Sequence, residues 1–221
     1  EALPEWRIRP EAIIDYLTHL YIPGPETIIA GVHHLQPGEA LKVADGRLDR
    51  FHYYQLKTEV GVQHPWSGQE AYEEVLRVLR ETVNAHLISD VPLGLFLSGG
   101  LDSASLLALM SEQASPVKTF SIGYEHPADQ SFSELESARL LAAHFGAVHT
   151  EAILNPDVES SLEDVVSGMG EPFADASAIP TYLVSEVAKR TVTVALSGIG
   201  GDELFGGYPR YLLGKSVWRG I

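Results

Sequence analysis

The chain has 221 residues, 45% of them hydrophobic and 20% charged, a composition that suits one large globular domain or one and a half. Its formal net charge is -15 and no basic cluster exceeds two adjacent residues, which argues against a nucleic-acid ligand. There is no cysteine, so disulfides, thiolate zinc sites and cysteine catalysis are excluded within the chain, and no apolar run approaches the ~18 residues of a membrane helix.

Residues 1–60 are punctuated by Pro4, Pro10, Pro23, Pro25 and Pro37 and by Gly24, Gly31, Gly38 and Gly46. One helix is predicted at Glu11–Leu20, followed by short strands at Thr27–Val32, Glu39–Val43 and Leu48–Tyr54, with Asp45-Gly46 as a hairpin turn. From Ser67 the pattern becomes α/β. Ser67 is placed to cap a helix with Glu70 as its capping-box partner, and Val75, Leu76, Leu79, Val83 and Leu87 keep helical spacing. Strands are then expected at Val91–Leu97, Val117–Ile122, Ala147–Ile153 and Val192–Leu196. Helices are expected at Ala104–Glu112, Ser133–Phe145, Asn155–Gly168 and Ile179–Arg190. This alternation predicts a doubly wound parallel sheet with ligands at the carboxyl ends of its strands.

Two strand ends carry chemistry. The Val91–Leu97 strand runs into Ser98-Gly99-Gly100-Leu101-Asp102-Ser103, a Gly/Ser loop that opens a helix. Backbone N–H groups converge at such a place, the helix dipole favours negative charge, and the glycines admit a phosphate close to the backbone. Ser98 and Ser103 would add hydroxyl donors. Asp102 would repel a phosphate unless a divalent cation lay between them, so the loop points to a nucleotide with magnesium. No G-x-x-x-x-G-K-[ST] motif and no G-x-G-x-x-G after this strand offers the other common phosphate loops. The Val192–Leu196 strand ends in a second such loop, Ser197-Gly198-Ile199-Gly200-Gly201-Asp202-Glu203. Two acidic Gly-rich loops at equivalent places in one sheet can face each other across a metal and a triphosphate.

Together these residues resemble the synthetase domain of the asparagine synthase (glutamine-hydrolysing) family. The matching segments are Ser89–Ser103, Thr119–Tyr124, Ser137–Glu151, Gly170–Leu183 and Leu196–Tyr208, in family order over about two thirds of the chain. The resemblance implies an ATP-pyrophosphatase (adenine nucleotide alpha hydrolase-like) fold over residues 61–221, cut short at its C-terminal end. Residues 1–60 resemble the closing, strand-rich part of the family's N-terminal-nucleophile glutaminase domain. The chain opens at Glu1 without a methionine or a signal-peptide pattern, and it reads as part of a longer, cytoplasmic protein.

The activity implied is an ATP-dependent amidoligase that adenylates a carboxylate, usually aspartate, releases pyrophosphate and amidates the acyl group with ammonia from glutamine. The partners implied are small molecules, with neither nucleic acid nor membrane among them and a homodimer as the assembly considered. By position, Asp102 and Asp202 would hold Mg2+, and Ser98, Gly99, Gly100 and Ser103 would cradle pyrophosphate. Phe96, Ile122, Ser197 and Gly198 would contact ATP, and Asp102, Asp202 and Glu203 are the candidate catalytic residues. Ile199 departs from the family, whose well-studied members carry Glu there, next to the acyl-adenylate. Glu171, Asp175 or Glu203 would then have to compensate, or the substrate is not aspartate.

Other residues have plainer readings beside the functional one. His144 and His149 read as structural, and His33-His34 as surface residues. Asp175 serves equally well as a helix cap or a substrate contact, Glu203 as a water-mediated metal contact or a cap, and Tyr208 as a stacking residue or a loop closer. Two further functions stay open: an intramolecular amide-forming relative of specialised metabolism, kept alive by Ile199, and a nucleotide-binding homologue without catalysis, disfavoured by the intact Asp102 and Asp202.

Overall fold

A computed structural model describes residues 6–56, 65–113, 116–124, 134–154 and 159–211. They divide into two compact units, Glu1–Pro65 with Glu159–Ile179, and Trp66–Val158 with Pro180–Ile221.

In the first unit, helix α1 (Pro10–His19) opens on a proline, whose fixed φ and missing N–H suit a first helical position. Strands β1 (Glu39–Ala44) and β2 (Arg47–His52) form the expected antiparallel hairpin, with Ala44 opposite Arg47. Between them Asp45 and Gly46 take φ values of 50° and 71°, the left-handed pair a two-residue turn demands. The strand expected at Thr27–Val32 does not form. Only isolated bridges join Ile8 to Ile29 and Glu26 to His33. The reason is local: Thr27 Oγ1 accepts from the Ile29 N–H (3.1 Å) and donates to the Val32 carbonyl (2.8 Å), which curls the backbone instead of extending it. Helix α5 (Glu159–Met169) and the residues after it group with the N-terminal segment, a division different from the expected one at 60/61. Long-range contacts bring this about. The Ala174 N–H donates to the Leu20 carbonyl (2.9 Å), and His34 Nε2 lies 3.4 Å from Glu171 Oε1. The predicted helix starts at Asn155 and Ser133 lie outside the described residues.

The second unit is the α/β layer. Helix α2 (Gly68–His86) carries the predicted capping box: Ser67 Oγ accepts from the Glu70 N–H (3.2 Å) and the Ser67 N–H donates to Glu70 Oε2 (2.7 Å). Of its apolar stripe, Val83 is buried, Leu76, Leu79 and Leu87 pack beside it, and Val75 stays exposed at the edge. There follow β3 (Leu93–Phe96), α3 (Leu101–Ser111), β4 (Lys118–Tyr124), α4 (Leu135–His144), β5 (Val148–Leu154), α6 (Ala178–Lys189), β6 (Val194–Leu196) and the short α7 (Gly201–Phe205). The sheet order is β5-β4-β3-β6 and every pair is parallel.

Alternation along the strands assigns the two faces. Leu95 and Leu97 pack with Val83 of α2, Leu107 and Met110 of α3, and Ala138 and Ala142 of α4. Phe96, Phe120 and Ile122 point the other way, onto Val184 and Ala188 of α6. Helices thus cover both faces, as buried parallel strands require. Each fully buried Leu in this layer contributes roughly 1.5–3 kcal/mol of transfer free energy. The order matters more for function. From β3 the chain moves outward through β4 to β5, then returns to the other side of β3 as β6. The direction reverses between β3 and β6, and open parallel sheets bind ligands in the crevice outside the strand ends at such a reversal.

Candidate functional site

Both acidic Gly-rich loops leave the sheet at this reversal, one after β3 and one after β6. The first is closed by its own serines. Ser103 Oγ donates to the Gly100 carbonyl (3.2 Å) and accepts from the Ser98 N–H (3.2 Å) and from Ser98 Oγ (3.0 Å), while Ser98 Oγ accepts from the Gly100 N–H (3.2 Å). Each hydroxyl has one proton, so both are committed within the loop. In this structure the two hydroxyls hold the shape of the loop.

Helix α3 begins at Leu101, three residues earlier than predicted, because Gly100 takes the extended N-cap conformation (φ -75°, ψ 167°) and its carbonyl accepts the first helical bond from Ala104 (3.0 Å). Asp102 therefore sits in the first turn, where the N–H groups have no intrahelical acceptor. Gly99 has φ 86° and backs onto the start of α4, where an added Cβ would lie 2.8 Å from Ser137 Cβ and 3.0 Å from the Glu134 carbonyl oxygen.

The second loop is docked on the first. An added Cβ on Gly198 would lie 3.0 Å from Asp102 Cβ and 3.1 Å from the Ser103 nitrogen, and one on Gly201 would collide with the Asp102 carboxylate. Asp202, in turn, packs its carboxylate against Gly207. The Tyr208 hydroxyl donates to Glu203 Oε1 (2.7 Å), which holds the Glu203 carboxyl below its ordinary range and the Tyr208 phenol above its own. Tyr208 is thus a loop closer, with Arg210 lying over its ring 5.1 Å from the centre.

The loops border a cleft of about 770 Å³. Of the residues singled out in the sequence, Phe96, Ser98, Gly100, Asp102, Ser103, Ile122, Ser197, Gly198, Asp202 and Glu203 line it, whereas Gly99 is absent from its lining. The cleft has two halves in character. Phe96, Phe120, Ile122 and Val184 supply an apolar wall, and the loops supply backbone N–H groups and carboxylates. Phe120, Leu101, Glu134 and Thr181 also line it and were not singled out by sequence. The alternation of β4 was the available signal for Phe120, which shares a face with Ile122.

A family model described as asparagine synthase matches residues 74–221. The chain belongs to the asparagine synthase family. It is 37% identical over 208 residues to asparagine synthetase [glutamine-hydrolyzing] 1 of Bacillus subtilis, covering 92% of this chain and 32% of that protein. To putative asparagine synthetase [glutamine-hydrolyzing] 2 of Methanocaldococcus jannaschii it is 34% identical over 212 residues, covering 94% of this chain and 40% of that one. The chain thus spans about a third of the length of the curated relatives it matches. A solved NH3-dependent NAD synthetase from Campylobacter jejuni is 19% identical with a TM-score of 0.39, covering 65% of this chain and 61% of that one, too slight a likeness to argue from.

The cleft's carboxylates could hold a magnesium ion only with help from a nucleotide's phosphates. Among the described residues no group of three or more His, Asp or Glu is placed to hold a metal. Magnesium is commonly held by one or two carboxylates together with substrate phosphates and water, and Asp102 and Asp202 are such a pair in one cleft. The three acids proposed to stand in for the family's Glu have separate fates. Glu171 faces His34, and Asp175 accepts from the Ser177 N–H (2.7 Å) ahead of α6; hydrogen bonding to the Ser177 side chain first, and to its backbone second, lowers the Asp175 pKa. Glu203 lines the cleft. His149, read as structural, hydrogen-bonds Thr119 Oγ1 through Nδ1 (2.9 Å), and burial pushes its pKa down. No helix among the described residues is long and apolar enough to cross a membrane.

Proposed function

We propose that the chain is the nucleotide-binding part of an ATP-dependent amidoligase that activates a carboxylic acid as its acyl-adenylate and transfers ammonia to it. The observation that carries this reading is the docking of two acidic Gly-rich loops on one another at the strand-order reversal, beside an apolar wall. On this reading Phe96, Phe120, Ile122 and Val184 take the adenine, and the backbone of Ser98–Ser103 with the first turn of α3 takes the phosphates. Asp102 and Asp202 would hold magnesium, which neutralises phosphate charge when bound. An oxygen of the acceptor carboxylate attacks the α phosphorus, and the bond to the β-phosphate oxygen breaks, releasing pyrophosphate. Ammonia then attacks the acyl carbon and AMP leaves as the nitrogen loses a proton. The chain's own contribution is positioning and charge, which is what displacement at phosphorus chiefly needs.

Residues 1–60 are read as the closing part of a glutaminase domain and residues 61–221 as the synthetase part. Glutamine hydrolysis would fall to a nucleophile beyond this chain, which has no cysteine. A cytoplasmic setting goes with that chemistry. The test is exchange of labelled pyrophosphate into ATP, dependent on an added carboxylic acid, by the protein expressed from its complete coding sequence. Asp102→Asn and Asp202→Asn should each lower the exchange by on the order of a hundredfold, as removal of a charged group from a transition state does, and each should weaken magnesium-dependent ATP binding. Full retention of magnesium-dependent binding in both variants would remove these residues from the site.

A further inference from the structure

The face of β4 and β5 beneath α4 carries a strip of polar side chains in an otherwise apolar layer. Leu95 stands opposite Thr119, Thr119 opposite His149 and Ser121 opposite Glu151, so the polar residues share the face that α2, α3 and α4 cover. Thr119 is fully buried and Ser121 nearly so. His149 Nδ1 lies 2.9 Å from Thr119 Oγ1, and its buried Nε2 lies 3.6 Å from Glu151 Oε1. A lone pair facing that carboxylate would be repelled, so the ring proton belongs on Nε2 and Thr119 donates to Nδ1. Arg139 of α4 also claims Glu151. It donates from Nε to Oε1 (2.6 Å) and from Nη2 to Oε2 (2.7 Å), a two-pronged pair that keeps the carboxyl ionised and its pKa low.

This pair fastens the helix that stands behind the first Gly-rich loop. The buried residues of α4 are Leu135, Ala138 and Ala142, and apolar packing of that kind has no direction of its own. The Arg139–Glu151 pair has one. Arg139 directly follows Ala138, and a Cβ on Gly99 would lie 3.0 Å from the Ala138 nitrogen and 2.8 Å from Ser137 Cβ. The strip also meets the entrance of the loop, where the Ser121 hydroxyl donates to the carbonyl of Leu97, the residue before Ser98. We infer that Arg139 and Glu151, with His149 orienting the carboxylate, are positioning residues of the phosphate loop. They set α4 against Gly99 and so fix the backbone on which the phosphates of ATP rest. The inference rests on the proposed nucleotide site and extends it to residues that do not line the cleft.

The experiment is calorimetric titration with ATP and magnesium of the protein from its complete coding sequence. Arg139→Met keeps the apolar stem of the side chain and removes the guanidinium, and Glu151→Gln keeps the shape and removes the charge. Each should weaken ATP binding by roughly three- to thirtyfold, the range for residues that act through a packed element. The double variant should lose no more than the worse single one, because both break the same fastening. The pair is partly exposed, so the melting temperature should fall by less than about 4 °C. In pyrophosphate exchange the loss should fall on the KM of ATP and not on the KM of the acid. Arg80→Met is the control. It breaks a pair of the same two-pronged form, with Glu112 at the far end of α3, and should leave ATP affinity unchanged. Wild-type affinity in both variants, additive losses, or an equal loss in Arg80→Met would overturn the inference and leave the nucleotide site standing. An unaltered protein that does not bind ATP with magnesium would overturn both.

Discussion

The two loops at the strand-order reversal share a composition and differ in how they are held. The Ser98–Ser103 loop follows a four-residue strand with two fully buried or nearly buried leucines at and beyond its end, closes on buried Ser103, and feeds an eleven-residue helix anchored by Leu107 and Met110. The Ser197–Gly201 loop follows a three-residue strand with no buried residue and feeds a five-residue helix that buries none. It has no closing serine network among the described hydrogen bonds, and two of its glycines lie against Asp102. The first loop is braced chiefly by its serines, whereas the second has one backbone bond of its own, from the Gly201 N–H to the Gly198 carbonyl (3.2 Å), and rests on the first. An acidic Gly-rich sequence therefore does not define a phosphate loop by itself. Its shape comes either from internal hydrogen bonds or from a neighbour.

The largest effect should come from separating the loops. Gly201 is the first residue of α7, where alanine is intrinsically favoured over glycine by about 1 kcal/mol. Its Cβ would nevertheless collide with the Asp102 carboxylate. Gly201→Ala should therefore leave the melting temperature unchanged or raised and still displace the carboxylate. Gly198→Val pushes on the Asp102–Ser103 backbone itself. Loss of one charge-assisted contact, worth about 1.5–3 kcal/mol, corresponds to a loss of roughly ten- to a hundredfold in affinity for ATP with magnesium. Isothermal titration of both variants checks this. Wild-type affinity in Gly201→Ala would show that the loops bind independently.

A smaller effect, of a different kind, is expected in the first loop. Ser103→Ala removes the one group that bonds the Gly100 carbonyl, the Ser98 N–H and the Ser98 hydroxyl together. The Gly100 carbonyl keeps the Ala104 N–H and the Ser98 hydroxyl keeps the Gly100 N–H, but the Ser98 N–H is left without its partner, which costs ~1–3 kcal/mol. That cost should appear as a melting temperature lower by several degrees, since a chain of this size shifts by about 2–4 °C per kcal/mol. Calorimetry on Ser103→Ala beside Gly201→Ala separates the two loops: one variant loses stability, the other loses affinity alone.

What the sequence disclosed follows the same divide between local and borrowed order. The hairpin at Asp45-Gly46 and the Ser67–Glu70 capping box were legible because each is written within a few residues, and the parallel sheet because strand and helix patterns alternate along the chain. The positions of both loops were legible because glycines and serines interrupt apolar runs at strand ends. The hydrogen bonds that Ser98 and Ser103 make to each other and to the loop were not, because a hydroxyl that closes a loop and one that faces a ligand have the same spacing. The seat of the Asp102 carboxylate on Gly201 joins residues about a hundred positions apart. The same holds for residues 159–179, grouped with the N-terminal unit through His34–Glu171 and Leu20–Ala174 pairs that no local pattern marks.

The smallest expected effect separates the loops by pH. The first loop is closed by hydroxyl and amide groups, none of which titrates in the accessible range. The segment after the second loop is clasped by the Tyr208 hydroxyl donating to Glu203. That bond favours the charged carboxylate, so the Glu203 pKa lies below its ordinary 4.5 in the folded protein. The bond also favours the protonated phenol, so the Tyr208 pKa lies above its ordinary 10.0. A lowered carboxyl pKa gives a contribution that is present above 4.5 and lost as pH falls through the folded value. A raised phenol pKa gives one that is present below 10.0 and lost as pH rises through the folded value. The clasp is therefore constant across neutral pH and fades at both extremes. Their bond is exposed to solvent, so the change should be visible as a titration rather than as lost stability. Carbon-detected NMR titration of the Glu203 carboxyl should find its midpoint below 4.5 in the native chain and moved upward in Tyr208→Phe, with the amides of Ser98 and Gly100 unaffected. A Glu203 midpoint indifferent to Tyr208→Phe would mean that the clasp does not hold in solution, and that the second loop relies on its contact with Asp102 and its own Gly198–Gly201 bond.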